Sequence, residues 1–188
     1  FGERGYAQTS VAAIARRAGL SKGAAYLYFD SKQAILEGLV KRALSPVAAQ
    51  AIDGARNAAP GIESALKSLL GSVTGAMAQK QVIAVLKIVL SEASVAPEIA
   101  AMYRHAVFDV VVPAASALIE AAIARGEIRP VDPELTVRSI IGPIFAHVVL
   151  AEIFGVRPAR GLALEALADN HLDILLNGLL APTEPRHA

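Results

Sequence analysis

The sequence predicts an all-α fold: a short basic head followed by a larger helical body. Three observations predict it. Apolar residues recur at helical spacing through nearly the whole chain, while no alternating run flanked by turn signals is long enough to argue for a sheet. Caps and stops punctuate these stretches where helices should begin and end. The charge is also uneven. Residues 1–42 hold seven Lys/Arg against three acids, and the remainder carries an excess of three acids, so a net charge of +1 hides a basic first quarter. A polyanion-binding module attached to a separate domain has this balance.

Taken in order, "TSVAAIARRAG" offers Thr9 or Ser10 as N-cap, Val11, Ile14 and Ala18 as the apolar side, and Gly19 as the stop. Ser21 caps a second short helix that buries Ala25 and Tyr28. "DSKQAILEGLV" begins a third, with Asp30 and Gln33 at capping-box spacing and Ile35, Leu36, Leu39 and Val40 as its stripe. It could run past Pro46 into the alanine-rich stretch, though that proline should kink or end it. After the Pro60-Gly61 break, "IESALKSLLGSVTGAMA" reads as an amphipathic helix and "QVIAVLKIVLSEAS" as a buried one. Pro97 suits a first helical position and opens a long segment to Ala124 that Pro113 should bend. "RGEIRPVDPEL" is a loop whose Asp132-Pro133 starts the next helix. Two last helices, about 134–154 and 159–180, are separated by Gly155.

The first two helices are joined by the tight turn Ala18-Gly19-Leu20, which is a helix-turn-helix arrangement. Ala15 and Gly19 are small where the helices cross, and Ile14, Leu20 and Ala25 seal the corner. The second helix is bare at its front, Ser21-Lys22-Gly23-Ala24-Ala25, and aromatic at its rear, Tyr26-Leu27-Tyr28-Phe29. A bare front lets backbone approach base edges in a major groove, with Lys22 as the long donor, while the aromatic end braces the element. Phe29 is expected in the core, Tyr26 and Tyr28 send hydroxyls outward, and Lys32 is positioned for the DNA backbone.

"TSVAAIARRAGLSKGAAYLYFDSKQAIL" resembles the DNA-binding signature of TetR-type transcriptional regulators, and "FGERGY" resembles the end of the helix that precedes it. The resemblance implies a DNA-binding head over residues 1–45 and an effector-binding and dimerisation body over 46–188. It also implies that Thr9, Ser10, Lys22, Gly23, Ala24, Tyr26, Tyr28 and Lys32 meet DNA; Ser21, at the same helix end, is counted with them. Ala24 departs from the family pattern, where threonine is frequent, and so lacks a hydroxyl contact. The family's basic arm and most of its first helix are not visible in the sequence. "LSEASVAPEIAAMYRHAVFDVVVPAASALIEAAIARGEIRPVDPELTVRSIIG" resembles, more loosely, the C-terminal domain of one branch of these regulators. The implied partners are a double-stranded DNA operator, a small-molecule effector and a second copy of the chain, in the cytoplasm and with no cofactor.

The body supplies candidate residues for two of these roles. Met77, Met102, Tyr103, Phe108, Phe145 and His147 are candidates for an apolar effector pocket. Ile144, Val148, Leu164, Leu167, Leu172, Leu175, Leu176 and Leu179 supply more apolar surface than one side of a monomer buries, as a two-fold four-helix interface requires, and His171 is placed at the same interface. His105 and Asp109 share a helix face but read as a solvated or hydrogen-bonded pair rather than a metal site.

Composition removes other classes. Cysteine is absent, which excludes disulfides and thiolate chemistry. The mean hydropathy is high, at +0.47, yet Asp109 and Pro113 interrupt one apolar window and His147 and Glu152 another. None reaches about 18 uninterrupted apolar residues, so no membrane span is expected. No GxSxG elbow, HExxH, P-loop or dinucleotide-binding glycine motif occurs, and the chain is not expected to be an enzyme. The rival class is a helical lipid-binding or small-molecule-binding protein, or a hydrolase, that uses the body alone. That reading leaves the first 42 residues without a purpose.

Overall fold

The computed structural model describes residues 1–2, 4–57, 60–159 and 161–179, the side chain of Leu179 excepted. Among the described residues there is no β-strand, as the patterning predicts. The helices are α1 (Val11–Arg17), α2 (Lys22–Tyr26), α3 (Lys32–Arg56), α4 (Ile62–Met77), α5 (Lys80–Glu92), α6 (Pro97–Tyr103), α7 (Asp109–Ala124), α8 (Pro133–Glu152) and α9 (Leu164–Leu179), with a π turn at Arg104–Phe108 between α6 and α7. They form two compact units, one of Phe1–Pro46 with Lys80–Phe108, the other of Val47–Gln79 with Asp109–Ala188.

In the first unit, α1 and α2 are short and are held by their ends. Ser10 Oγ accepts from Ala13 N at 3.2 Å, and Ser21 Oγ accepts from Ala24 N at 3.0 Å. Gly19, at φ +71°, ends α1. Its N–H donates to Arg16 O, and Leu20 N donates back to Ala15 O at 2.9 Å, so the last carbonyls of α1 are satisfied by the turn itself. Val11, Ala15 and Ala25 form the small core between the helices, with Ile35 of α3 against it. Leu20 is more exposed than a corner seal should be, and Phe29 lies against α3 rather than deep in the core, its ring 3.2 Å from where a Cβ on Gly38 would stand.

Three boundaries differ from the sequence expectation. The cap of α3 is Ser31, whose hydroxyl accepts from Ala34 N at 3.0 Å, not Asp30. That helix runs past Pro46, a course the sequence allowed. The apolar segment after Pro97 is interrupted by the π turn at 104–108, ahead of Pro113, which sits inside α7. In addition, α9 starts at Leu164 instead of about 159, since Gly161 (φ +74°) and Ala163 (φ +44°) are both left-handed just before it.

The second unit packs α4, α7, α8 and α9 around one core, in which Leu66 and Leu70 of α4, Ala115, Ile119 and Ala122 of α7, and Val137, Ile140 and Ile144 of α8 are buried. The alanines of α7 keep its buried face shallow, which lets α8 come close. The "RGEI" loop stitches this unit together. Gly61 gives α4 no side-chain cap, and Glu127 takes that role, its Oε2 accepting from Ile62 N at 2.7 Å. The Arg125 guanidinium beside Glu127, with this backbone donor, holds the Glu127 carboxyl below its usual range. Arg129 Nε donates to Gly178 O at 2.8 Å, and Asp132 caps α8 by accepting from Leu135 N.

By length and composition alone, the stretches 97–124 and 133–152 are apolar enough to cross a membrane. In α8 the most apolar side is spent inside the chain, since Val137, Ile140, Ile144 and Val148 are all fully buried.

Candidate nucleic-acid interface

The geometry of α2 decides which side chains the head presents. At about 100° per residue, Gly23 and Leu27 lie on the line opposite the buried Ala25, with Lys22 and Tyr26 on one flank and Ala24 and Tyr28 on the other. Leu27 is the C-cap, still in the right-handed helical region, so the line continues through it. Exposure agrees. Leu27 is 84% exposed, Tyr28 75% and Tyr26 43%, whereas Ala25 is buried. The Lys22 ammonium lies 5.9 Å from the Tyr26 ring centroid, a loose contact that leaves it facing solvent. Ser10 and Ser21 are exposed at the two N-caps.

Two residues expected at the DNA are turned inward. Thr9 is only 7% exposed, and its hydroxyl donates to Gly5 O at 2.6 Å. Lys32 is half-buried, with Nζ donating to Tyr6 O at 2.9 Å and standing 4.2 Å from the Tyr6 ring centroid. Both hold the turn at residues 4–8 against the helices. Tyr6 N is itself bound by Glu92 Oε1 at 3.2 Å, at the end of α5. Burial, with smaller contributions from Glu98 and Glu92, raises the Tyr6 phenol above its ordinary range. A lysine at a helix start looks free for phosphate in a sequence; in the fold the carbonyls at the end of the preceding turn attract Lys32 first.

The candidate pocket residues fall into both units. Met102, Tyr103 and Phe108 flank or enter the π turn in the first unit, where the Tyr103 and Phe108 rings meet edge to face with centroids 5.7 Å apart. Burial pushes the Tyr103 phenol up to about 12. Met77, Phe145 and His147 belong to the second unit. There Met77 packs against the core and His147 Nε2 is 2.7 Å from Leu162 O, so both have structural employment. One cavity inside the second unit is about 10 Å³, lined by Leu66, Leu69, Leu118 and Ile119 among others, and none of the six candidates lines it. At most a single water would fit. Ser116 Oγ on α7 is the one buried side-chain polar atom without a partner among the described residues.

Of the interface candidates, Ile144, Val148, Leu164 and His171 need correction, while Leu167, Leu172, Leu175 and Leu176 keep exposed surface. Ile144 and Val148 are fully buried within a single chain and cannot touch a second copy. Leu164 is also buried, and Leu167, Leu172, Leu175 and Leu176 pack, partly buried, against the same core. The side chain of Leu179 lies outside the described residues. His171 is buried too, with Nε2 3.0 Å from Ile140 O, which ties α9 to α8. The outward line of α8 instead runs through Leu135, Ala146 and Leu150, and Ile174 is exposed on α9.

Residues 1–39 match the family model described as bacterial regulatory proteins, tetR family, and residues 61–153 match the one described as tetracyclin repressor-like, C-terminal domain. The chain belongs to the TetR family. TetR-family proteins are ligand-responsive transcriptional regulators, generally without enzymatic activity, that bind DNA operators and dimerise. Solved structures agree on the fold. The transcriptional regulator FadR from Bacillus subtilis in complex with stearoyl-CoA superposes with a TM-score of 0.78 at 22% identity, covering 94% of this chain and 92% of that one. The fatty acid degradation regulator FadR from Bacillus halodurans gives 0.77 at 22%, covering 100% and 91%. The TetR-family regulator PfmR from Thermus thermophilus gives 0.69 at 24%, covering 94% and 92%. No curated protein matches the sequence.

Proposed function

We propose that this TetR-family chain is a cytoplasmic repressor that binds a palindromic operator as a homodimer and leaves it when an apolar or amphipathic effector binds the body. The observation that carries the reading is the head. Two short helices are locked by Ser10, Gly19 and Ser21 so that α2 presents Gly23, Leu27, Lys22 and Tyr26 outward. A five-residue helix that, with the two residues after it, exposes Tyr26, Leu27 and Tyr28 suits a partner surface, and the basic charge of the head favours a polyanion. The functional division is proposed at about residue 45, with no membrane and no cofactor involved.

Dimerisation is assigned to the outward faces of α8 and α9, through Leu135, Ala146, Leu150 and Ile174. A two-fold pairing there sets two heads at a fixed separation, and half-sites one helical turn apart or a multiple of it follow. An effector that prefers a different head separation lowers operator affinity by its differential affinity for the two forms. Stearoyl-CoA, the ligand in the Bacillus subtilis FadR structure, is the first probe to try.

Leu150→Glu tests the assembly and the DNA reading together. Leu150 is 47% exposed, so a charge there should leave the fold of the single chain intact. It should sediment as a monomer and bind operator at least about tenfold more weakly, since each head then holds one half-site alone. A variant that remains dimeric with unchanged operator affinity contradicts the assigned interface.

A further inference from the structure

The exposed line of α2 lacks the side chains that usually read bases by hydrogen bonds. Between Gly19 and Phe29 there is no Arg, Asn, Gln, Asp or Glu, so that of the types that most often hydrogen-bond to base edges only Lys22 is present. The polar groups that remain are few. Ser21 is a short side chain fixed at the N-cap by the Ala24 N–H, with only its hydroxyl left to offer, and Lys22 is a flexible point charge. What stands furthest out is apolar: Gly23, which removes bulk, and one turn later Leu27, 84% exposed.

One feature of the major groove is read by apolar contact, the C5-methyl of thymine. We propose that Leu27 is a specificity-determining residue that packs on thymine methyls, so that each half-site carries one or two obligatory thymines chosen by methyl contact and not by hydrogen bonding. The proposal rests on the DNA-binding reading above. Within it, Gly23 lets the α2 backbone approach closely enough for Leu27 to reach the groove floor, while Lys22 and the tyrosine hydroxyls serve phosphates on either side. Neither polarity nor family resemblance singles out Leu27 as a DNA contact in the sequence; its exposure in the fold does.

The experiment uses the full chain and a duplex chosen by selection from a random pool at near-physiological salt. Each thymine of the selected half-site is replaced in turn by deoxyuridine, which removes the methyl and keeps every hydrogen-bonding group. At one or two positions the replacement should raise Kd about fourfold per half-site, the order expected for one buried methyl. In Leu27→Ala, thymine and deoxyuridine at those positions should bind alike, with circular dichroism and melting temperature unchanged. Uniform tolerance of deoxyuridine, within about twofold on the same scale, overturns the proposal and leaves specific DNA binding standing. A full deoxyuridine penalty persisting in Leu27→Ala also overturns it, because another side chain would then hold the methyl. If no common motif is selected at all, the underlying DNA reading fails with it.

Discussion

Helices α2 and α8 use the same apolar alphabet to opposite ends. In α8, Val137, Ile140, Ile144 and Val148 recur at helical spacing and are fully buried; a 20-residue helix thereby contributes one side to a core shared with α4, α7 and α9. In α2 there is room for little more than one turn, a single alanine is buried, and the leucine at its C-cap, Leu27, stands exposed. Such a helix is not held by burial, which is worth only about 25 cal/mol per Å² of apolar surface. It is held at its ends, by Ser21 in front and by the Gly19 turn that delivers it. Hydrophobicity alone therefore does not say where a residue faces. Periodicity over several turns decides it in α8, and capping decides it in α2.

Truncation should separate the two regions most sharply. Ile144→Ala is expected to cost about 3 kcal/mol of stability, the usual order for a fully buried large-to-small change, whereas Leu27→Ala should stay within about 0.5 kcal/mol. Chemical denaturation measures both. Comparable losses would mean that Leu27 is packed and that the outward line of α2 is wrong.

The tyrosines extend the same contrast into pH. The folded-state pKa of Tyr103 is raised from 10.0 to about 12 by burial, so the stability tied to its neutral phenol is fully present below about pH 10 and is lost as pH rises from 10 to 12. The loss amounts to roughly 2 kcal/mol by linkage. Tyr103→Phe should therefore flatten the decline in stability over that window and remove a late-titrating phenol from the ultraviolet titration. An identical alkaline profile in the variant would place Tyr103 in solvent.

A smaller effect distinguishes two lysines of the head. Lys22 faces solvent, and Lys22→Ala should lower the salt dependence of operator binding by about one counterion while leaving the melting temperature unchanged. Lys32→Ala should do the reverse, lowering stability by about 1 kcal/mol through the lost bond to Tyr6 O, with the salt slope intact. Were Lys32→Ala to flatten the salt slope instead, its ammonium would have to leave Tyr6 and Ala7 for phosphate in the complex.

Much of the fold is legible in the sequence, and for local reasons. Ser10, Gly19, Ser21, Pro97 and Asp132 act where their chemistry says they should, because a cap needs only the residues next to it. Misses begin where a competitor stands close by. Ser31 takes the cap expected of Asp30, and the left-handed Gly161 and Ala163 delay α9. At the candidate sites the errors share one cause, since a sequence gives residue type without direction. Ile144 and Val148 are as apolar as an interface requires, yet they face the core. Thr9 and Lys32 are polar but are spent on backbone carbonyls of residues 5–7. Leu27 is apolar and stands in the open.

The decisive experiment is selection of bound duplexes from a random DNA pool by the full chain, with enrichment compared at low and near-physiological salt. A dimeric operator reader should recover an imperfect palindrome with a fixed half-site spacing that survives the higher salt. Enrichment that disappears with salt and leaves no common motif would contradict that reading, reducing the basic head to a polyanion patch and returning the body to the lipid-binding or hydrolytic alternative.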